Sequence, residues 1–319
     1  MPFVVTLTMN PAVDLSASTA RVEPIHKLRC RSSRRDPGGG GVNVARVIHR
    51  FGLPTLAVYP AGGLVGQLLN HLMAGELVRT HPIAITDETR EDFTVLDEGS
   101  GEQYRFVLPG PRLRGPEWME CLSAVANLGE RPDIVCASGS LPPGVPDDFY
   151  ARLAEVAANH GARFVLDTSG VPLREALATK VDLIKPNLRE LREISGEALD
   201  SERALIATCR RLIEHRRVAA VAVTLGADGA MLVTGNGAWR AAALPVHPVS
   251  SVGAGDSFLG AMVWAMATGR SDLEAFRFGI AGGAAAVRAS GTELCHPKDV
   301  HRLVSEVEIM DAELPGPTR

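Results

Sequence analysis

The sequence predicts an α/β fold in three layers, with a mostly parallel sheet between two layers of helices and a small inserted β-sheet. Short apolar segments without alternation recur along the chain, and such segments are typical of strands buried on both faces. Amphipathic segments with helical periodicity lie between them, and this succession predicts βαβ units. Residues 12–34 and 86–108 contain alternating apolar and polar positions instead, which predicts a separate sheet.

The individual elements follow from these patterns. The predicted strands of the main sheet cover residues 3–9, 55–59, 133–137, 163–167, 182–185, 218–225 and 230–234. The predicted helices cover residues 42–51, 65–74, 116–127, 147–159, 201–215, 255–268, 272–289 and 297–310. Ligands of such sheets bind beyond the carboxyl ends of the strands, so we expect the functional residues there.

The small sheet is predicted as an insertion into the α/β body, not as a domain that follows it. Residues 98–101, Glu-Gly-Ser-Gly, form a plausible hairpin turn between two alternating segments. We expect the strands of this sheet to be antiparallel. The insertion comprises residues 12–34 and 86–108, and the body comprises residues 1–11, 35–85 and 109–319.

Composition excludes several classes of protein. The chain has 319 residues, of which 45% are apolar, and this is enough to bury a sizeable core. Its net charge of −4 argues against nucleic acid as a partner. The five cysteines show no C-x-x-C spacing, so we expect neither disulfides nor a zinc site. The chain has no long apolar run and no basic leader, so we expect a cytoplasmic protein without a membrane span.

Glycine is enriched, at 32 of the 319 residues, and it clusters where predicted strands end and helices begin. Residues 38–41 are four glycines that run directly into a predicted helix. Such a run lets a ligand approach the backbone and leaves N–H groups free at the positive end of the helix. Asn43 would lie in the first turn and could hydrogen-bond a hydroxyl group. The alternative, a flexible linker, is disfavoured by the helix that follows.

A second glycine motif, Gly-Ala-Gly-Asp at residues 253–256, precedes a helix of small residues. Its backbone N–H groups could form an anion pocket at the start of the helix. Asp256 would be either a helix cap or a general base beside that pocket, and the residues alone favour neither. Residues 224–229 are either a phosphate-contacting loop or an ordinary hairpin turn. Residues 61–66 match G-x-G-x-x-G only loosely.

A pair of oxygen-bearing side chains follows the strand predicted at 182–185. The i, i+3 spacing of Asn187 and Glu190 places them on one face of a helix start. Hard oxygen ligands at the carboxyl end of a strand suit Mg²⁺, held through water. The same two residues could instead cap the helix, and their spacing is compatible with both roles.

Together these motifs resemble the ribokinase-like (PfkB) family of sugar kinases, over essentially the whole chain. The resemblance is carried by KLRC (27–30), PGGGGVNVAR (37–46), PAGG (60–63), SGEQYRFV (100–107), SGSLPPGV (138–145), KPN (185–187) and VGAGDS (252–257). The commoner family motif D-T-A-G-D is replaced here by V-G-A-G-D, a form that fits the phosphofructokinase branch. The N-x-x-E and G-A-G-D elements are specific when they occur in this order, so the functional interpretations gain weight.

The resemblance implies an ATP-dependent kinase that phosphorylates a sugar phosphate, with fructose 6-phosphate converted to fructose 1,6-bisphosphate. Asp256 would accept the hydroxyl proton, and the N–H groups of Gly253, Ala254 and Gly255 would hold the charge on the transferred group. Asn187 and Glu190 would organise Mg²⁺. The implied ATP-binding residues are Lys185, Asn187, Thr224, Gly226, Gly229 and Gly283. Family members often bind K⁺ beside the anion pocket, so segment 289–293 is a candidate cation loop.

The resemblance also implies an acceptor site and a dimer. The implied acceptor-binding residues are Asp14, Lys27, Arg29, Gly38, Gly39, Asn43, Arg90, Arg105, Ser138 and Gly139. Asp14 matches an acid that binds sugar hydroxyls, and the guanidinium groups suit phosphate because they bind it bidentately. The inserted strands would form a lid over the site. Two lids would clasp each other in a homodimer, which would let Lys27 and Arg29 act across the interface.

Other functions stay open at this point. Tagatose-6-phosphate kinase and 1-phosphofructokinase are the nearest, because their substrates differ only in one stereocentre or in the position of the phosphate. A nucleoside kinase on this fold is disfavoured by the cations Lys27, Arg29 and Arg90, which suit a phosphorylated acceptor. A non-catalytic sugar-phosphate sensor is disfavoured because it would have no need of a base at Asp256.

Overall fold

The computed structural model describes residues 1–215, 218–247, 250, 252–288 and 293–312. Residues 289–292 of the predicted cation loop lie outside the described residues. The strands are β1 (Val4–Leu7), β2 (Ala12–Thr19), β3 (Ser33–Gly38), β4 (Thr55–Ala61), β5 (Arg79–Ala84), β6 (Arg90–Asp97), β7 (Gln103–Phe106), β8 (Ile134–Ser138), β9 (Arg163–Asp167), β10 (Leu183–Ile184), β11 (Ala220–Thr224), β12 (Ala230–Thr234), β13 (Gly237–Ala241) and β14 (Ile309–Asp311).

The helices alternate with the strands for most of the chain. They are α1 (Gly40–Arg50), α2 (Gly63–Gly75), α3 (Gly115–Ala126), α4 (Phe149–His160), α5 (Gly170–Ala176), α6 (Leu188–Ser195), α7 (Glu202–His215), α8 (Ala254–Ala267), α9 (Asp272–Val287) and α10 (Pro297–Leu303). Within the described residues, none of these helices combines the length and the apolar character that crossing a membrane requires.

The main sheet has ten strands in the order β14-β13-β12-β11-β10-β9-β8-β1-β4-β5. From β5 to β11 every neighbouring pair is parallel, and β12, β13 and β14 add an antiparallel edge. This confirms the predicted α/β class with its mostly parallel sheet.

Helices cover both faces of this sheet, which explains why its strands lack alternation. Val5 and Leu7 of β1 pack into a core with residues of α3 and α4. Val4, one residue earlier on the same strand, packs into a second core with residues of α1, α8 and α9. Successive side chains point to opposite faces, and both faces are apolar because both are buried.

The second sheet has four strands in the order β3-β2-β6-β7. The hairpin between β6 and β7 turns at residues 98–101 as predicted, and β2 and β3 are also antiparallel. The expectation that all these strands are antiparallel is wrong for β2 and β6, which run parallel from Ala12 beside Arg90 to Thr19 beside Asp97. Each of the two follows a strand of the main sheet, β1 and β5, and those run in the same direction. The division of the chain into body and insertion at the stated residues stays a prediction.

The remaining differences from the predicted elements concern short or exposed pieces. Strand β5 is mostly exposed and contains Pro82, both of which suit a strand at the edge of a sheet. It was not predicted, because an exposed strand shows no continuous apolar segment. Strands β13 and β14 and the short helix α5 were not predicted either. The helix predicted at 297–310 ends at Leu303, because the chain then turns and adds β14 to the edge of the main sheet.

Helix α8 is held against its neighbours by contacts that have no room for a side chain. A Cβ on Gly260 of α8 would lie 2.7 Å from the Val47 side chain of α1. A Cβ on Gly282 of α9 would lie 2.6 Å from the carbonyl oxygen of Ser257 and 2.8 Å from the Ala261 Cβ. The start of α8 is therefore positioned by close backbone packing on two sides.

Replacing Gly282 by alanine should push α9 away from α8 and lower stability by about 1–3 kcal/mol, the usual effect of overpacking. Gly75→Ala is the matched control: Gly75 is the last residue of α2, and a Cβ there would meet no atom within 4 Å. That variant should be neutral or gain up to about 1 kcal/mol. Urea unfolding of both variants measures the difference, and equal stability of the two would contradict the packing argument.

Candidate active site

A cavity of about 420 Å³ lies at the carboxyl ends of the parallel strands and is lined by residues of both sheets. The sequence-predicted residues on its wall are Asp14, Gly39, Asn43, Arg90, Arg105, Ser138, Gly139, Lys185, Asn187, Glu190, Gly253, Gly255 and Asp256. Residues from both halves of the chain thus meet in one place, as expected for ligands bound beyond the strand ends.

Two further predicted residues adjoin this wall. Gly38 ends β3 and packs so closely on Asp14 that a Cβ would lie 2.5 Å from the carboxyl carbon. Any side chain at position 38 would displace that carboxylate. Ala254 begins α8 directly after Gly253, whose φ of 76° lies in the left-handed region that favours glycine.

The first turn of α8 presents the backbone N–H groups of residues 253–255, since the first N–H groups of a helix have no partner within it. Asp256 lies in the same turn, and its Oδ2 accepts a hydrogen bond from Asn43 Nδ2 at 2.8 Å. The carboxylate thus lies beside an arrangement of N–H groups suited to binding an anion.

The pKa of the Asp256 carboxylate differs from its ordinary value. Burial raises its pKa, and the nearby Asp167 carboxylate adds to that effect. The hydrogen bond from Asn43 and the positive charges of Lys185 and Arg105 act in the opposite direction, but the pKa stays above its usual value. A raised pKa makes this carboxylate a better proton acceptor than a surface aspartate.

Asp14 of β2 belongs to a second cluster of charged side chains in the cavity, together with Asp92, Arg90 and Arg105. Burial raises its pKa to about 6, with a further contribution from the Asp92 carboxylate, while Arg105 and Arg90 lower it. Arg90 forms an ion pair with Asp92 at 3.3 Å and donates hydrogen bonds to the carbonyl oxygens of Leu108 and Asn10. Arg105 of β7 is exposed at the cavity mouth.

Lys185 follows β10 and is buried beside the end of β9. Its Nζ lies 3.1 Å from Asp167 Oδ1, and Ser138 Oγ donates to Asp167 Oδ2 at 3.0 Å. Burial alone would lower the pKa of Lys185, but the carboxylates of Asp167, Asp256 and Glu190 raise it above its ordinary value. The ammonium group therefore stays charged where anionic ligands would lie.

Asn187 and Glu190 form a reciprocal capping box at the start of α6. Asn187 Oδ1 accepts from the Glu190 N–H and Glu190 Oε2 accepts from the Asn187 N–H, both at 2.9 Å. The structural alternative raised from the sequence is therefore present. Both side chains also line the cavity, so each has oxygen atoms on its wall.

These oxygens suit Mg²⁺, which is usually bound by one or two carboxylates together with water and substrate phosphates. Within the part of the chain that the structure describes, no group of three or more His, Cys, Asp or Glu side chains could hold a metal by itself. The donor set present fits a metal that arrives with a phosphorylated ligand.

The remaining predicted ATP-binding residues lie outside this wall but close to it in the fold. Thr224 ends β11 and forms an isolated parallel β-bridge with Asn187. Its N–H donates to the Pro186 carbonyl at 3.1 Å. Gly226 and Gly229 both have positive φ in the turn from β11 to β12, so the hairpin, one of the two alternatives for this segment, is present. Gly283 of α9 packs against Ala254, since a Cβ on Gly283 would lie 3.5 Å from the Ala254 carbonyl oxygen.

Lys27 and Arg29 are not brought to the cavity. Both are exposed in the segment between β2 and β3, and neither lies on the cavity wall. Any role at the acceptor phosphate would therefore require a movement of this segment or a second copy of the chain.

Sequence reasoning missed several residues on the cavity wall, of which Asp92 and Asp167 carry charge. Asp167 is the last residue of a strand predicted at 163–167, and a polar side chain at the carboxyl end of a parallel strand is a signal that could have found it. Asp92 carries no comparable signal, because it lies inside a strand with alternating residues.

Comparison with known proteins then identifies the family. The sequence profile of the pfkB family carbohydrate kinases matches residues 3–299. The chain is 42% identical to ATP-dependent 6-phosphofructokinase isozyme 2 of Mycobacterium tuberculosis, over 94% of this chain and 88% of that protein. The chain belongs to the pfkB family of carbohydrate kinases. The resemblance found in the motifs is thereby confirmed.

Two further relatives of this pfkB kinase bear on its chemistry. Phosphofructokinase-2 of Escherichia coli, solved in complex with potassium, is 37% identical and superposes with a TM-score of 0.91, covering 96% of this chain and 99% of that one. A tetrameric inhibited form of the same protein superposes with a TM-score of 0.89. A 1-phosphofructokinase of Borreliella burgdorferi is 29% identical over 97% of this chain and 98% of that protein.

The raised pKa of Asp14 has a consequence for stability. Between about pH 4 and pH 6 the folded pfkB kinase holds a proton on Asp14 that the unfolded chain has released, so stability falls as the pH rises through this window. The total loss is about 3 kcal/mol at most. Asp14→Asn removes this titration, so its stability relative to the wild type should increase from pH 4 to pH 7.

Urea unfolding at several pH values measures this effect. Asp147→Asn, at an exposed carboxylate, is the control and should keep a constant difference from the wild type. A difference between Asp14→Asn and the wild type that does not change with pH would show that burial does not perturb Asp14.

Proposed function

We propose that this kinase transfers the γ-phosphoryl group of ATP to a hydroxyl group of fructose 6-phosphate, forming fructose 1,6-bisphosphate and ADP. The observation that carries the proposal is the first turn of α8, where a buried carboxylate lies beside free N–H groups in a cavity that also holds Lys185 and Arg90. The 42% identity to a 6-phosphofructokinase supports this acceptor.

Asp256 acts as the general base. The attacking hydroxyl oxygen forms a bond to the γ-phosphorus while the bond to the bridging oxygen of ADP breaks, and Asp256 accepts the hydroxyl proton. The hydrogen bond from Asn43 holds Oδ2 of the carboxylate and leaves Oδ1 for the sugar. A base in this position contributes about 10²–10⁴-fold to the rate.

The N–H groups of Gly253, Ala254 and Gly255 stabilise the charge on the transferred group. They lie at the positive end of α8, and they cost no reorganisation during the reaction because the backbone is already fixed by packing. Lys185 adds a positive charge, oriented by Asp167. The other residues proposed to bind ATP are Thr224, Gly226, Gly229 and Gly283.

The sugar lies between β2 and the start of α1. Asp14 and Asn43 bind its hydroxyl groups, with backbone contacts at Gly38 and Gly39 where side chains have no room. Arg90 and Arg105 bind the 6-phosphate, together with Ser138 and Gly139. Lys27 and Arg29 join them from the partner subunit of a homodimer.

A homodimer through the small sheet fits the surface of that sheet. Ile25 and Phe106, on or beside its strands, are strongly exposed, as are several neighbouring apolar side chains. Exposed apolar side chains in this number on one small sheet and its loops are an argument for an interface there, since large exposed apolar patches mark sites of protein association. The proposed dimer buries these side chains and brings the basic segment of one subunit towards the site of the other.

Asn187 and Glu190 would hold Mg²⁺ through water, together with the ATP phosphates. When bound, it neutralises charge on the phosphate oxygens and helps to align them. A K⁺ ion beside the anion pocket is a further component of the proposal, and the E. coli relative was solved in complex with potassium. The five free thiols, four of them buried, suit a cytoplasmic setting.

A second candidate acceptor is fructose 1-phosphate, which is favoured by the likeness to the B. burgdorferi 1-phosphofructokinase. Tagatose 6-phosphate is the third, since it differs from fructose 6-phosphate at one stereocentre. Initial rates with each sugar phosphate and MgATP separate them. We expect the highest kcat/KM with fructose 6-phosphate, and a far higher value with either of the others would overturn the assignment. Turnover of adenosine alone would indicate a nucleoside kinase.

The role of Asp256 is tested by Asp256→Asn, which keeps the shape of the side chain and an oxygen for Asn43. Loss of the base should lower kcat by at least about 100-fold while binding of the sugar phosphate changes only a few-fold. The exposed Asp147→Asn variant should retain wild-type kcat. Steady-state kinetics and calorimetric titration supply both readouts. Near-normal turnover by Asp256→Asn would exclude it as the base.

A further inference from the structure

The largest fully buried side chain among the described residues is a cation, Arg46 of α1. It lies one turn after Asn43 on the same helix and does not reach the cavity wall. A buried guanidinium is costly unless its N–H groups are satisfied, so its position requires specific partners.

The partners of Arg46 come from three elements. Nη1 donates to the Pro37 carbonyl of β3 at 2.9 Å and to Asn43 Oδ1 at 3.1 Å. Nη2 forms a short ion pair with Glu76, next to the end of α2. The guanidinium therefore ties the small sheet, α1 and α2 together behind the catalytic cavity.

The contact with Asn43 decides which way the Asn43 amide faces. Arg46 has only donor groups, so the atom of Asn43 that faces it must be the oxygen. The amide nitrogen is then turned towards Asp256, where it donates to Oδ2 at 2.8 Å. In the flipped amide the oxygen would face the carboxylate, and two acceptors would oppose each other.

We propose that Arg46 is a positioning residue that fixes the orientation of the Asn43 amide and, through it, the Asp256 carboxylate. This role rests on the proposed function, in which Asp256 is the base. Because Arg46 also holds the Pro37 carbonyl, the same guanidinium links the orientation of the base to the end of β3, where Gly38 packs on Asp14.

The chain offers a matched control on the same helix. Arg50 lies four residues after Arg46 and also pairs with Glu76, at 3.3 Å, and its other contact is the Leu294 carbonyl. It has no contact with Asn43. Arg46→Lys and Arg50→Lys therefore make the same substitution beside the same carboxylate. They differ in the contacts with Asn43 and the Pro37 carbonyl, which Arg46 makes and Arg50 does not, and Arg46 is the more deeply buried of the two.

The readout that separates positioning from stability is the pH dependence of kcat/KM with fructose 6-phosphate and MgATP. Among the described residues, the other titratable or charged groups whose electrostatic effect couples them to Asp256 are Asp14, Arg105, Cys136, Asp167 and Lys185, and both variants retain all of them. The substrate phosphate titrates near pH 6 as well. It does so equally for every variant, so only differences between variants are interpreted.

We expect Arg46→Lys to lower kcat about tenfold, a part of what a positioned base contributes. The acid limb of kcat/KM should move up by about 0.5–1 pH unit, because Asp256 loses a fixed donor to its charged form. Arg50→Lys should lower the melting temperature but keep the wild-type profile. In an Asn43→Ala background, Arg46→Lys should cause no further shift of the acid limb.

Identical pH profiles for Arg46→Lys and Arg50→Lys would overturn the positioning role. So would a shift of the acid limb by Arg46→Lys that is as large in the Asn43→Ala background as in the wild type. If Arg46→Lys does not fold, Arg46→Met combined with Glu76→Met removes both charges together, a change that is often tolerated, and Glu76→Met alone is its control. The same shift is expected for the double variant. A wild-type protein without activity on any sugar phosphate would refute the proposed function instead, so the two failures are distinguishable.

Discussion

The site depends on how closely α8 approaches α1 and α9. The N–H groups at the start of α8 and the Asp256 carboxylate occupy one turn, so any displacement of the helix moves both. Glycines at positions 260 and 282 permit the contact, because a Cβ at either would overlap a neighbouring atom. The geometry of the proposed transition-state contacts is therefore a packing property of the body, set by residues that do not touch the ligand.

The buried carboxylates of the cavity repel one another and have lost contact with water, and the surrounding side chains compensate for this cost only in part. Carboxylates on Asp14, Asp167 and Asp256 lie within one cavity, and burial raises the pKa of Asp14 and Asp256. Lys185 compensates Asp167 through a direct ion pair, and the Asn43 amide compensates Asp256 with a neutral donor. A neutral donor orients the carboxylate without lowering its basicity as far as a full positive charge at that distance would.

The sequence predicts those parts of the structure that depend on local pattern. The buried parallel strands, the glycine motifs and the polar pair after β10 were predicted, because burial on both faces and turn geometry leave a local signature. The parallel pairing of β2 with β6 was not, since it depends on where two distant strands leave the main sheet. The buried role of Arg46 was missed for the same reason, because its counter-charge, Glu76, lies 30 residues away. Asp167 lay at a predicted strand end and was within reach of sequence reasoning.

The charge of the cavity favours additional cations as partners for anionic ligands. Among the described residues, five carboxylates line the cavity, from Asp14, Asp92, Asp167, Glu190 and Asp256, against the three cations Arg90, Arg105 and Lys185. A sugar phosphate and ATP would add several negative charges to a wall that is already acidic. The N–H groups at the start of α8 offset a part of this charge, and cations that enter with the ligands or from outside the wall would offset the rest. In the proposed function, Mg²⁺ at the Asn187 and Glu190 oxygens would meet this need on the ATP side. On the sugar side, the proposed homodimer would supply cations from the exposed basic segment around Lys27 and Arg29.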